Sequence, residues 1–262
     1  MAQFFHAALA ENTWLISDDS FGTELTFGKA TANSYLIVGE SRALLFDLAV
    51  PAPGLRQYAQ ALARKPLLTV ISHGHPDHIY HMEDFDVLWL NRADWDFPLC
   101  ALAGAELPKK CPQLCDVPDG MQFDLGGRIL DVIAIPGHTM GSILLFDRQT
   151  GILFSGDAVA RRLLYGLTGC PPLAQFCDDL QKLQLLPIRK IYSAHDRAAL
   201  PPDYPAYMTR MLQTKLSAAA ETWQYPGFPL MRRLVAGDEA SPDFFDAAVP
   251  DTLLQEENTH AI

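Results

Sequence analysis

No stretch free of Asp, Glu, Lys and Arg is longer than fifteen residues, and the two that reach that length, 132–146 and 163–177, both contain Pro and Gly. A spanning helix needs about 20 consecutive apolar residues, so no segment reads as a membrane helix and no membrane partner is expected. Basic residues are also scarce: 20 Lys and Arg stand against 31 Asp and Glu, a net charge of −11. Without a cationic footprint, the balance argues against broad phosphate-backbone binding, and no nucleic acid is expected as a partner. The five cysteines, Cys100, Cys111, Cys115, Cys170 and Cys177, are an odd number at loose spacings. In a chain this long they read as reduced thiols, not as disulfide staples, and Cys111 with Cys115 lacks the further thiols of a zinc knuckle. The N-terminal MAQFFHAALAENTWLI carries no basic leader and meets Glu11 before an apolar core reaches signal-peptide length, so a cytoplasmic protein is expected. Neither a G-x-S-x-G elbow nor a phosphate-binding glycine loop occurs, which leaves serine-nucleophile and nucleotide chemistry without their usual motifs.

Hydrophobic residues make up 49% of the chain and charged residues 19%, enough apolar surface for a full core. Short strand-like runs at 13–17, 34–38 and 43–47, broken by Gly and polar residues, predict an antiparallel meander. Helical spacing over 53–64 is followed at once by the β-branched run 67–72, a strand–helix–strand unit. The same grammar returns as a hairpin turning at Gly126-Gly127, a second turning at 149–151, a helix near 172–186 and a strand at 189–193. Two such halves predict two sheets packed face to face with helices outside. From Pro201 the pattern predicts a helix over 204–223 and then an irregular, Pro-punctuated segment. The chain is therefore divided into residues 1–200 and a C-terminal helical and irregular extension over 201–262.

Chemistry concentrates in His73-Gly74-His75-Pro76-Asp77-His78, directly after the apolar run LLTVIS. Residues two apart in extended backbone point the same way, so His73 and His75 can converge on one ion. Pro76 suits the start of a helix that would carry Asp77 and His78 toward a neighbouring position. Imidazole with carboxylate suits zinc, and also iron or manganese. Three more candidates follow apolar runs and a small residue: His138 after Gly137, Asp157 after Gly156 and His195 after Ala194. The small residues let backbone approach a crowded centre.

With these motifs on residues 10–200 the chain resembles the metallo-β-lactamase superfamily, matching all seven ligand positions of its dinuclear hydrolases. The resemblance implies an α+β fold, a four-layer αββα sandwich with metals at one edge of the two sheets. It implies that His73, His75 and His138 hold one metal, that Asp77, His78 and His195 hold the second, and that Asp157 bridges. Two zinc ions are the expected cofactor, with iron or manganese as alternatives, and Asp77 is the expected catalytic residue. The implied activity is a hydrolase in which a hydroxide between two metals cleaves a small ester, thioester, lactone or phosphoester. Asn33-Ser34-Tyr35-Leu36 and Leu45-Phe46-Asp47 resemble the family's early strands, with Asp47 expected near the first histidines.

Within the superfamily, His75 in place of a Glu disfavours the flavin-partnered branch, and Ala158, Val159 and Ala160 lack the Tyr expected of a lactonase. Hydroxyacylglutathione hydrolase, glyoxalase II, shares the ligand set. A persulfide dioxygenase-like oxidoreductase with one iron is the alternative, although Leu167-Thr168-Gly169-Cys170 is not its Cys-Gly-Arg motif. A low-turnover metal-containing binding or regulatory protein is the third reading. Arg161, Arg162 and Tyr165 are candidate substrate contacts, the substrate being a small molecule. His6, His81 and His260 are given no metal role, and Asp178-Asp179 reads as a solvated helix face. Residues beyond Pro201 are expected to cover the cleft or to form a homo-oligomer contact.

Overall fold

The computed structural model describes residues 4–18, 32–96, 112–166, 169–196, 198–224 and 228–254. Cys100, Cys111 and His260 lie outside them. Cys115 is a free thiol. Among the described residues no helix is long and apolar enough to cross a membrane.

The first sheet runs in sequence order from β1 (Phe5–Ala10) through β2 (Thr13–Ser17), β3 (Ser34–Val38), β4 (Ala43–Phe46), β5 (Leu67–Val70) and β6 (Val87–Trp89) to β7 (Gln113–Cys115). Its first four strands are antiparallel, and the pairs from β4 onward are parallel. The second sheet comprises β8 (Gln122–Asp124), β9 (Ile129–Ala134), β10 (Ile143–Asp147), β11 (Ile152–Gly156) and β13 (Lys190–Ser193), in the order β13-β11-β10-β9-β8. Only its β11–β13 pair is parallel.

Period-two alternation builds the layers. On the first sheet Tyr35, Ile37, Leu44 and Phe46 face inward against Val132, Ile143, Leu145 and Phe154 of the second. Their neighbours Leu36 and Leu45 face the other way, onto Leu55, Ala59 and Ala63 of α1 (Leu55–Ala63), spaced by four along one helix face. On the second sheet Leu144, Phe146, Leu153 and Ile191 meet α2 (Leu173–Lys182) and α3 (Tyr204–Lys215) through Phe176, Leu180, Met208 and Leu212. Both faces of each sheet are thus covered, giving the αββα sandwich.

The chain beyond Pro201 differs from its sequence pattern. The helix expected to reach Trp223 ends at Lys215 with a short turn over Leu216–Ala218, and Glu221–Trp223 (β14) is a strand. It pairs with β15 (Met231–Ala236), which pairs with β16 (Phe245–Pro250), where irregular chain was expected. The third sheet closes on β12 (Arg162–Leu164), which lies parallel to β16. Arg232 and Arg233, adjacent in sequence, serve opposite faces of β15. Arg232 binds Asp251, and Arg233 binds Asp246 of β16 and Glu221 of β14. Such pairing depends on partners distant in sequence, so neither propensity nor periodicity announces it.

At the strand ends remote from His73, Arg128 ties the sheets together. Its Nε donates to Asp147 Oδ2 at 3.1 Å, and its Nη1 donates to the carbonyls of Asn12 and Val38 at 3.1 Å each. Both side chains are almost wholly buried. Arg128→Met leaves the Asp147 carboxylate without its cation and should lower unfolding free energy by about 3–5 kcal/mol in urea denaturation, with metal content unchanged. A loss under about 1 kcal/mol, the range of an exposed pair, would contradict this role.

Candidate metal centre

Each candidate ligand sits just past a strand end at one edge of the sandwich. His73 and His75 follow β5, and Pro76–His78 forms a single 3-10 turn that lifts Asp77 and His78 out of line with them. His138 follows β9, Asp157 follows β11 and His195 follows β13. Gly156 occupies φ +50°, and a Cβ there would lie 2.7 Å from Ser72 Cβ, so the ligand-bearing loops approach as closely as backbone permits.

All seven residues converge. His73, His75, His138 and Asp157 offer ligand atoms within 4.8 Å of one another, as do Asp77, His78 and His195. His138 Nε2 lies 3.1 Å from His73 Nε2 and 2.9 Å from His75 Nδ1. These separations are near the roughly 3.3 Å edge of a tetrahedron of nitrogens about 2.0–2.1 Å from zinc. Asp157 lies between the groups: its Oδ2 is 3.3 Å from His138 Nε2 and 3.0 Å from His195 Nε2, and its Oδ1 is 3.5 Å from His78 Nε2. Asp77 Oδ2 stands 3.6 Å from His195 Nε2 and 3.9 Å from His78 Nε2.

Outward partners fix which nitrogens carry protons. His138 Nδ1 is 2.6 Å from the Leu164 carbonyl and His78 Nδ1 is 3.0 Å from Asp47 Oδ2, and neither oxygen can donate. Ser72 Oγ donates to Asp47 Oδ2 at 2.8 Å, so at 2.9 Å from His73 Nδ1 it accepts. The Nε2 atoms of His73 and His138 therefore turn lone pairs inward. Among the described residues, His78 Nε2 and Asp157 Oδ1 are buried and find no closer partner than each other, at 3.5 Å. Lone pairs facing each other in a buried space repel, and a cation satisfies all of them together, so the donor set fits a metal.

Electrostatics distinguish the two ligand groups. Burial, reinforced by neighbouring imidazoles, holds His73 and His75 well below the usual imidazole range, and burial lowers His138 also, as neutral ligands require. Burial opposes charge on His78 and His195 too. There Asp157 leads the carboxylates that outweigh it, raising His78 well above its usual value and His195 to about 9. Burial likewise opposes ionisation of Asp157, yet His195 and His78 hold it well below the carboxylate range.

Several supporting groups carry no ligand motif. Ser72 and Asp47 join His73 to His78, and Asp47 also accepts the Ser72 N–H at 2.6 Å. Asn33 Nδ2 donates to the carbonyls of Ala194 and Asp196, and Tyr35 Oη donates to that of Ser193, so β3 and the residue before it hold the His195 loop. Leu164 belongs to β12, so the C-terminal sheet reaches His138 through one carbonyl. Of these, the early-strand motif and Asp47 were legible in sequence, whereas the Leu164 carbonyl carries no side-chain signal.

Arg161, Arg162 and Tyr165, the expected substrate contacts, do not join the cluster. Arg161 Nη2 donates to the carbonyls of Glu239 and Ser241, and Arg162 Nη2 to Glu239 Oε1. Both guanidinium groups lie over the Phe244 ring. Tyr165 is fully buried and donates to the Pro171 carbonyl. His81 also stands apart, its Nε2 2.7 Å from the Pro51 carbonyl. Asp179 is buried and accepts from Lys182 and Gln175, which departs from a fully solvated helix face.

The family model described as the metallo-beta-lactamase superfamily matches residues 28–89. The chain is 29% identical over 185 residues to the human acyl-coenzyme A thioesterase MBLAC2, a match covering 60% of this chain and 61% of that protein. It is 28% identical over 252 residues to hydroxyacylglutathione hydrolase of Dechloromonas aromatica, covering 88% and 86%. The chain thus spans about three fifths of the thioesterase's length and most of the glutathione hydrolase's. A metallo-beta-lactamase family protein from Thermus thermophilus superposes with a TM-score of 0.58 at 19% identity, covering 82% of this chain and 85% of that one. With the fold and the seven-residue cluster, these sequence likenesses support the metallo-β-lactamase superfamily and its glyoxalase II-like branch.

Proposed function

We propose that the protein is a dinuclear metallo-hydrolase that cleaves a small thioester, with two zinc ions as its cofactor. The observation that carries this reading is the inward convergence of unshared lone pairs from two adjoining ligand groups, with Asp157 in reach of both. Two relatives are named for cleaving an acyl group from coenzyme A and from glutathione, both thiol carriers, and this favours a thioester over a lactone or phosphoester.

His73, His75, His138 and Asp157 would hold one cation, and Asp77, His78 and His195, with Asp157, the other. Cations there would polarise the acyl carbonyl and make water nucleophilic near neutrality. Asp77 is the more open carboxylate, its side chain 23% exposed against 9% for Asp157. It is therefore placed to orient the attacking water, accept its proton and return that proton to the departing thiolate. Asp47 and Leu164 hold the rings of His78 and His138 so that their inner nitrogens stay aimed. Residues beyond Pro201 would border the substrate, since Arg161 and Arg162, just past Asp157, anchor the loop that carries Glu239 and Phe244. They would also offer the surface for any homo-oligomer. A cytoplasmic location is part of the proposal.

Elemental analysis of protein purified without chelator should find close to two transition-metal ions per chain. One iron per chain would favour the dioxygenase-like oxidoreductase, and no metal would reject an enzyme of either kind.

Asp77→Ala should cut thioester turnover by about 10²- to 10⁴-fold while the first ligand group keeps its metal, whereas His81→Ala should stay near the parent rate. Steady-state kinetics on an acyl-thiol substrate check this, and equal rates for Asp77→Ala and the parent would contradict the role of Asp77.

A further inference from the structure

Asp94 lies outside the seven ligands and outside every motif legible in the sequence, yet its carboxylate is shared between the two histidine-bearing loops of the first ligand group. It ends the 3-10 turn Arg92–Asp94 after β6, a turn whose start is capped by Asn91 Oδ1 accepting from Ala93 N. Only 4% of the residue is exposed. Its Oδ2 accepts the Gly74 N–H at 2.9 Å and the Thr139 hydroxyl at 2.7 Å, and its Oδ1 accepts the Gly141 N–H at 2.9 Å. Gly74 lies between His73 and His75, and Thr139 immediately follows His138. These donors come from different sheets, one loop following β5 and the other following β9.

A buried carboxylate is expensive unless donors surround it, and in return it accepts charge-assisted hydrogen bonds about twice as strong as neutral ones. Here the donors are backbone and hydroxyl groups of the ligand loops themselves. The packing leaves no slack, since a Cβ on Gly141 would lie 2.5 Å from Asp94 Cγ. The ligand nitrogens joined by this clamp are those separated by only 2.9 and 3.1 Å. Unbraced, His138 could relieve that crowding by moving away from His73 and His75, and the nitrogens would lose the spacing a cation needs.

We propose that Asp94 is a positioning residue that holds His138 against His73 and His75 and thereby sets the metal affinity of the first ligand group. The proposal rests on the metal reading above but concerns only one of the two groups. Asp94→Asn keeps shape and one acceptor oxygen, but its amide group must face an N–H or O–H donor of one loop. Gly141→Ala keeps the carboxylate and displaces it. Thr139→Val removes a single donor and is the mildest of the three.

Zinc affinity, measured by competition with a chromophoric chelator, should be taken on full-length chains with one group disabled, His195→Ala isolating the first group and His75→Ala the second. Asp94→Asn and Gly141→Ala should weaken zinc at the first group by about 10- to 100-fold and leave the second within about twofold. Thr139→Val should fall between parent and Asp94→Asn, and it decides the matter alone if the other two fail to fold. Cobalt(II) bound at the first group should show altered visible absorption bands in Asp94→Asn. Parent-like affinity at the first group in the variants that fold would overturn the proposal, as would equal weakening at both groups, which marks a general scaffold role. Absence of zinc binding in the otherwise unaltered chain would instead reject the metal reading itself, an outcome separable from the other two.

Discussion

The inward lone pairs of His73 Nε2 and His138 Nε2 face each other at 3.1 Å, with His75 Nδ1 2.9 Å from the latter, among side chains that are almost wholly buried, and they repel unless a cation lies between them. The rest of the site is organised around that constraint. The outer nitrogens of His73 and His138 are tied to oxygens that must accept, which fixes their inner nitrogens as lone pairs, and Asp47 holds the outer nitrogen of His78. Asp157 lies between the groups and is kept ionised by His78 and His195 despite its burial. The acidity of the whole chain sets none of this; the hydrogen bonds of a few buried side chains do.

The sandwich supplies the positions. Every ligand lies beyond the end of a strand, so the sheets fix where each ligand loop begins, and short loops deliver the side chains to one edge. Braces hold the loops to one another: Asp47 with Ser72, Asn33 and Tyr35 with the His195 loop, Asp94 across two loops. At the remote ends of the strands Arg128 and Asp147 close the two sheets together. The third sheet holds β12 in place, so the C-terminal chain reaches His138 through the Leu164 carbonyl.

The ligands were legible in sequence because four crowd the six residues His73 to His78 after an apolar run, and His138, Asp157 and His195 each follow an apolar strand and a small residue. The early meander and the two central hairpins were legible for the same reason, since alternation and Gly turns mark them. Strands of three residues such as β6, β7 and β12 carry too little pattern to be seen, and they exist because neighbouring strands pair with them. The C-terminal strands escaped notice because their arginines and prolines look like surface chain until the cross-strand carboxylates are in view. Arg161 and Arg162 looked available for a substrate because sequence cannot show that the 239–244 segment folds back onto them. Asp94 was missed for the opposite reason: two of its three donors are backbone N–H groups, which carry no residue signature.

The central claim is that these seven side chains form a preorganised site for two cations. Anomalous diffraction at a transition-metal absorption edge, from crystals grown without chelator, tests it most directly. The account predicts two peaks, one among His73, His75 and His138 and one among Asp77, His78 and His195, with Asp157 reaching both. A map without a peak in the cluster, with its imidazoles hydrogen-bonded to one another or to water, would contradict it.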